Sequence, residues 1–361
     1  MRPAPDKRVP VPSGGGCDTQ QEMGTVEEVR IARRTGFCYG VREAIDAARL
    51  AASEGKITHT LGQVVHNEGV IAELQGQGIR TVDSLDDVQR GAAVVIRAHG
   101  VTPQVMQRAE EHGLEVIDGT CTWVIQEQKE LASLVAEGYT IVLLGTPNHP
   151  EVVGLLGFAP DAILVDEEAE WPAIPRRKRM ALISQSTQPP WKFERLAAFL
   201  TSRAHELKIV NTVCPVTIRR QQDTTDLAGE VDLVVVVGGR SSANTRELTR
   251  LVGIVERPAV QVEDARGLDD ASVFAGCRVV GVTGGTSTPI EDLETVARRI
   301  CELAGTPMVQ AHAAEVAHQA VTSVAESAYR STSLGRASRP GAVAAHVADS
   351  VDVRAGAVSL A

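Results

Sequence analysis

The sequence predicts an α/β protein of three pseudo-repeated lobes, each a small, mostly parallel four-stranded sheet with flanking helices around one centre. Three observations predict it. Short β-branched runs alternate with helical stretches from about residue 28 to residue 305. The runs fall into three groups of four, and each group carries a cysteine just past its first strand.

The first group of strands is read at 29–33, 57–61, 79–82 and 93–97, with helical patterns at 41–52 and 103–112. The second is read at 115–117, 140–144, 162–165 and 180–183, with helices at 123–136 and 191–203. The third is read at 208–210, 232–237, 259–262 and 278–282, closed by a helix at 290–304. Lobes are therefore expected over 28–121, 122–213 and 214–305. A disordered, glycine-containing leader is expected over 1–27, and an Ala/Ser-rich tail, helical or disordered, over 306–361.

The 361 residues are 43% hydrophobic and 23% charged, the composition of a globular protein. A net charge of −10 with no basic stripe argues against nucleic acid or anionic membrane as partner. No apolar run is long enough to span a bilayer, and no secretory signal precedes the first lobe. Six cysteines in such a chain suggest reduced cytoplasmic thiols rather than disulfides. Cys17 falls in the leader, and Cys277 and Cys301 read as small buried hydrophobes.

Cys38, Cys121 and Cys214 form a pattern, about one small domain apart. In open α/β sheets ligands bind at the carboxyl ends of strands, so three such ends facing one another would gather three thiolates. Structural zinc wants four ligands, commonly in C-x₂₋₄-C pairs, and no such pair occurs. A four-iron cluster on three thiolates would leave one iron open to substrate; unrelated buried thiols are the alternative. Gly36, Gly40 and Gly119 flank the thiols, where backbone must approach a bulky group closely.

Three histidines fall at strand ends or in loops: His66, His99 and His149. They can donate hydrogen bonds to a phosphorylated ligand. The loops at 238–244 and 284–289 each follow a strand and open a helix, the first at about Thr245, and suit an anion. Neither contains a P-loop or a G-x-G-x-x-G fingerprint. Glu151, two residues past His149, is either a proton donor whose pKa a dry pocket would raise or a surface residue in a first helical turn.

Nine motifs in order carry a resemblance: GFCYGVREAI around Cys38, VVHN at His66, RAHGV at His99, DGTC at Cys121, HPEV at His149, SQST at 184–187, TVCP at Cys214, SSANT at 241–245 and GGTSTP at Ser287. From about residue 29 to residue 304 the chain resembles the 4-hydroxy-3-methylbut-2-enyl diphosphate reductases. The resemblance implies a three-lobed fold around a central 4Fe–4S cluster with one open iron, which oxygen can degrade to 3Fe–4S. It implies Cys38, Cys121 and Cys214 as cluster ligands. It implies a diphosphate held by His66, His99, His149, Thr187, Ser242, Ala243, Asn244 and Ser287. Glu151 would relay a proton, with Ser186 orienting the substrate hydroxyl or a water. The implied reaction is a two-electron reductive dehydration of non-mevalonate isoprenoid biosynthesis. With no flavin or nicotinamide site evident, electrons would come from a ferredoxin or flavodoxin. Rival readings are reduction of a related allylic diphosphate, a non-catalytic iron–sulfur redox sensor, and a cluster-free α/β protein.

The chain departs from that pattern at several positions. Ala243 stands for a serine, Ser241 for an asparagine, Ser186 for a threonine, Thr122-Trp123 for Pro-Leu, and Leu155 for a threonine. A Thr-Lys-Val-His-like run is Ile125-Gln126-Glu127-Gln128 here. A hydrogen bond lost to a charged phosphate costs roughly 1.5–3 kcal/mol.

Overall fold

Among the described residues twelve short strands pair, all in parallel, into three separate four-stranded sheets. The computed structural model describes residues 26–240 and 242–306. Residues 1–25 of the expected leader, residues 307–361 of the expected tail, Cys17 and Ser241 lie outside the described residues. The first sheet is built from β2 (Thr58–Leu61), β3 (Arg80–Val82), β4 (Ala93–Ile96) and β5 (Glu115–Asp118). The second uses β6 (Thr140–Leu144), β7 (Ile163–Val165), β8 (Arg177–Ser184) and β9 (Ala204–Ile209). The third uses β10 (Leu233–Val237), β11 (Ala259–Val262), β12 (Val279–Gly284) and, from the other end of the chain, β1 (Glu28–Ile31).

The strand orders are β3-β2-β4-β5, β7-β6-β8-β9 and β11-β10-β12-β1, one topology used three times. This corrects the grouping expected from sequence. β1 lies within the lobe expected over 28–121 but pairs with β12, Glu28 opposite Val279 through Ile31 opposite Val282. β5 and β9, read as openers of the second and third groups, are edge strands that close the first and second sheets. The reason lies in the core. Val29 and Ile31 are buried with Val235 and Val280 of the third sheet and with Ile300 of the helix that covers it. The next helix, α1 (Tyr39–Ser53), instead packs Val41, Ala44, Ile45 and Ala48 against Val95 of the first sheet. Consecutive elements usually neighbour one another, and here the chain departs from that default.

The first lobe continues with α2 (Glu68–Gly76) and α3 (Pro103–Glu111), the second carries α6 (Pro190–Leu200) after β8, and the same hand-over recurs twice. After β5, α4 (Thr122–Ala136) packs Leu131 and Leu134 against Ile141 and Leu143 of the second sheet. After β9, α7 (Pro215–Glu230) packs Leu227 and Ala228 against Val234 and Val236 of the third. Each cysteine therefore sits where the chain leaves one sheet's edge strand and enters a helix of the next. Leu155, one of the departures from the family pattern, is fully buried in this second core with Val152 and Leu143.

Candidate active site at the meeting of three sheets

Cys38, Cys121 and Cys214 are the residues immediately before α1, α4 and α7, each with extended backbone and a half-buried, free thiol. Three helix amino termini thus present unpaired N–H groups and partial positive charge to the thiols, which favours a negative group there. Burial works the other way. It raises all three thiol pKa values, and the charges of Cys38 and Cys214 help to push Cys121 to about 12. α1 approaches Cys121 so closely that a Cβ on Gly40 would lie 2.7 Å from the Cys121 Sγ. Among the described residues no three Cys, His, Asp or Glu side chains converge closely enough to share one ion.

Each cysteine is tied to a second loop. The Cys38 N–H donates to the Thr286 carbonyl, Cys121 to Ala98 and Cys214 to Ser186, at 3.2, 3.0 and 2.8 Å. Those carbonyls belong to the loops after β12, β4 and β8, the strand next to the edge in each sheet. The same loops carry Ser287, His99 and Ser186–Thr187. The strand beyond, β10, β2 or β6, leads to Ser242 and Asn244, to His66, or to His149. All of these residues lie at carboxyl ends of strands, on either side of the switch in strand order where α/β sheets bind ligands.

The histidines come together. His66 and His99 have ring centroids 6.0 Å apart, and His99 and His149 meet edge-on at 5.3 Å. Burial lowers their pKa values, His99 well below the usual range and His149 to about 4, helped by mutual repulsion and by Arg97. They are neutral near neutral pH and each keeps one N–H donor. Asn148, at φ +63°, turns the chain into His149, whose Nδ1 accepts the Glu151 N–H at 3.2 Å and caps α5 (Pro150–Leu156). The His149 proton is thereby placed on Nε2.

Glu151 is buried, its carboxylate receiving the Ser186 N–H at 2.5 Å and the Ser186 hydroxyl at 2.9 Å. Burial raises its pKa and the two Ser186 donors oppose that rise. Thr187 accepts from Gln185 Nε2 at 2.8 Å, while Gln185 Oε1 accepts the Thr146 N–H and ties this loop to the one carrying His149.

The third sheet supplies the remaining polar groups. Ser242 caps α8 (Ala243–Ile254) by accepting the Thr245 N–H, so this helix starts two residues earlier than expected. Ala243 is half-buried in its first turn. Asn244 is buried with neither amide atom bonded, and Arg97 Nε and His99 Nδ1 are likewise buried without a partner. Buried polar groups are ordinarily satisfied, so these three residues at strand ends retain unused capacity to bind a ligand. The two loops meet where Gly238, at φ +144°, would press a Cβ against Thr245 and Thr288 hydroxyls. Asn67, beside His66, donates to Asp292 in α9 (Ile290–Ala304) at 2.9 Å, drawing the histidine side toward Ser287.

Four participants were not singled out as site residues from sequence. Arg97 is visible only as part of a motif. Arg220, buried on α7, donates to the carbonyls of Gly284, Gly285 and Gly36 at 3.0, 2.7 and 2.8 Å and lies within electrostatic reach of Cys38 and Cys214. Trp123 donates its indole N–H to the Thr212 carbonyl at 2.7 Å, linking the start of α4 to the segment leading into Cys214. Glu127 is buried beside Glu151. A cavity of about 570 Å³ lined by Lys56, His59 and Arg80 sits at the amino ends of β2 and β3, the opposite end from the thiols.

Fold and site together define a three-sheet α/β protein with thiols, histidines and hydroxyl groups at the carboxyl ends of its strands. Residues 29–301 match the family model described as LytB protein. The chain belongs to the LytB family. It is 40% identical over 272 residues, 75% of this chain and 97% of the relative, to a 4-hydroxy-3-methylbut-2-enyl diphosphate reductase of Anaeromyxobacter sp. (strain K). A solved (E)-4-hydroxy-3-methyl-but-2-enyl diphosphate reductase, described as the terminal enzyme of the non-mevalonate pathway, aligns with TM-score 0.60 and 32% identity, covering 77% of this chain and all of that one. The E-1-hydroxy-2-methyl-but-2-enyl-4-diphosphate reductase from Plasmodium falciparum aligns with TM-score 0.73 and 25% identity, covering 76% and 88%.

Proposed function

We propose that this chain is an iron–sulfur reductase converting 4-hydroxy-3-methylbut-2-enyl diphosphate to isopentenyl and dimethylallyl diphosphates by two-electron reductive dehydration. The observation that carries this reading is the backbone tie between each cysteine and a loop bearing anion-binding or acid residues. A group held by the thiols and a substrate held by the loops are thereby fixed to one frame.

The donor set fits a polynuclear iron–sulfur cluster. Cys38, Cys121 and Cys214 are free, head three helices, repel one another as thiolates, and do not close around a single ion. Arg220 adds a buried cation beside two of them. When bound, a 4Fe–4S cluster with one open iron supplies single electrons and a Lewis acid. His66, His99 and His149 donate N–H groups to the diphosphate, and Ser242, Asn244, Ser287 and Thr187 complete its shell, with Ala243 lining it. Arg97 supplies positive charge behind the histidines. Glu151, oriented by Ser186, delivers a proton to the substrate hydroxyl so that it departs as water. Ferredoxin or flavodoxin in the cytoplasm is the electron donor in this reading. Among the described residues no helix is long and apolar enough to cross a membrane.

The test is turnover of 4-hydroxy-3-methylbut-2-enyl diphosphate by anaerobically purified protein with a strong one-electron reductant. Both five-carbon diphosphates should form, and Glu151→Gln should lower kcat by about 10²-fold or more, the usual contribution of a positioned general acid. Iron-loaded protein that gives no product above the Glu151→Gln background overturns the reading.

A further inference from the structure

One buried acid has no part in the mechanism above. Glu127 lies on α4, whose buried stripe is Val124, Glu127, Leu131 and Leu134. A carboxyl group thus occupies an apolar position, where the resembled pattern carries valine. Its side chain is 1% exposed, and no N–H or O–H of the surrounding protein meets either oxygen. What it meets is the Glu151 carboxyl, close enough for one proton to bridge the two.

The surroundings divide the pair. Glu151 receives two donors from Ser186, which favours its ionised form. Glu127 receives none, and the charged neighbours bearing on it are Glu151 and Cys214, both anionic when ionised. Burial and these two neighbours raise the Glu127 pKa well above the ordinary glutamate range. Two adjacent carboxyls in a dry site cannot both ionise readily and therefore share a proton over a wide pH range.

We infer that Glu127 and Glu151 form a carboxyl dyad in which Glu127 holds the proton at rest and passes it through Glu151 to the departing hydroxyl. The transfer leaves Glu127 as carboxylate and Glu151 as carboxylic acid. Glu151 then gives that proton to the hydroxyl oxygen, which leaves as water, and the dyad regains one proton from solvent. Glu127 is a positioning residue that acts through Glu151, and this role rests on the reductase reading above.

Two measurements test it on the full-length protein. The first is the infrared band of neutral carboxylic acid at about pH 8, where an ordinary glutamate with pKa about 4.3 is ionised. It is recorded on iron-free and on reconstituted protein. The band should be present in the parent, absent in Glu127→Gln, and retained with a shifted frequency in Glu151→Gln. A parent without the band, or Glu127→Gln with it, overturns the inference whether or not the protein turns over.

The second is the pH profile of kcat. With one carboxyl instead of two, the alkaline limb moves to lower pH. Glu127→Gln and Glu127→Val should then lose about tenfold at about pH 8 and at most about twofold at about pH 6, with KM unchanged. A uniform loss at all pH values, or full activity in Glu127→Val at about pH 8, overturns the role. Valine restores the apolar stripe, so Glu127→Val should also melt higher than the parent, which separates lost function from lost fold. A parent that turns over no diphosphate sinks the reductase reading while leaving the infrared result to decide the dyad.

Discussion

At the scale of single residues, chemistry-bearing side chains were legible where few other uses compete for them. Cys38, Cys121 and Cys214 could be picked out because thiols recur at lobe spacing, and His66, His99 and His149 because each follows an apolar run. Ala243 is a departure with a measurable consequence. It occupies the first turn of α8 between Ser242 and Asn244, and in the function proposed above a serine hydroxyl there would reach the diphosphate. Ala243→Ser should add one hydrogen bond to a charged phosphate, worth roughly 1.5–3 kcal/mol. Affinity for the diphosphate product should therefore rise about tenfold or more. Equilibrium titration under anaerobic conditions measures it, and an unchanged Kd would place residue 243 away from the anion. Glu127 and Arg220 were illegible for a shared reason. A charged residue in a helical stretch reads as solvated, and only the tertiary packing of α4 and α7 reveals that these two face inward.

At the scale of elements, every strand was legible as a segment and so were most helices, although α7 was not among those expected; partnership was not legible. β1 is only four residues, Glu-Val-Arg-Ile, with Val29 and Ile31 buried on one face, and so short an alternation does not distinguish β2 from β12 as neighbour. The helices that follow the cysteines join the sheets, and Arg220 on α7 is the clearest tie. Its guanidinium holds the carbonyls of Gly284 and Gly285 at the end of β12 and of Gly36 before Cys38, three acceptors on two segments. Arg220→Met would leave those carbonyls without their charged donor at a cost of about 3–5 kcal/mol, as for other broken buried charge networks. It would also remove the cation beside Cys38 and Cys214. The variant should melt well below the parent and retain less iron after reconstitution. Arg220→Lys should recover only part, because a point charge cannot fork to three carbonyls. Parent-like melting and iron content in Arg220→Met would show that the contacts contribute little.

At the scale of the whole molecule, the three lobes are a closed cycle that the chain happens to open inside the third. Contiguous thirds were expected, but β1 crosses from one end of the sequence to pair with β12 near the other. The ends of the described fold are adjacent, with the Thr306 hydroxyl donating to the Val26 carbonyl and the Glu28 N–H to the Arg278 carbonyl. A circular permutant can therefore make the strands of each sheet contiguous. It would begin at Lys56, run to Thr306, pass through a short Gly/Ser link to Val26 and end at Gly55. Gly55 has φ +78° and nothing packed where a side chain would point, so the new ends fall at a turn that tolerates them. The permutant turns the long-range β1–β12 pairing into a local one and makes the packing of α1 on the first sheet long-range in exchange, so contact order changes little. It should melt within a few degrees of the parent, bind the same iron, and refold at a similar rate when iron-free, as read from the folding limb of a denaturant chevron. A second permutant, cut between Cys38 and Tyr39, keeps the same link but parts a thiol from the helix it heads. Iron should be lost there while most secondary structure survives. Equal iron in both permutants would mean that the junction between edge strand and helix does not set the thiol's place.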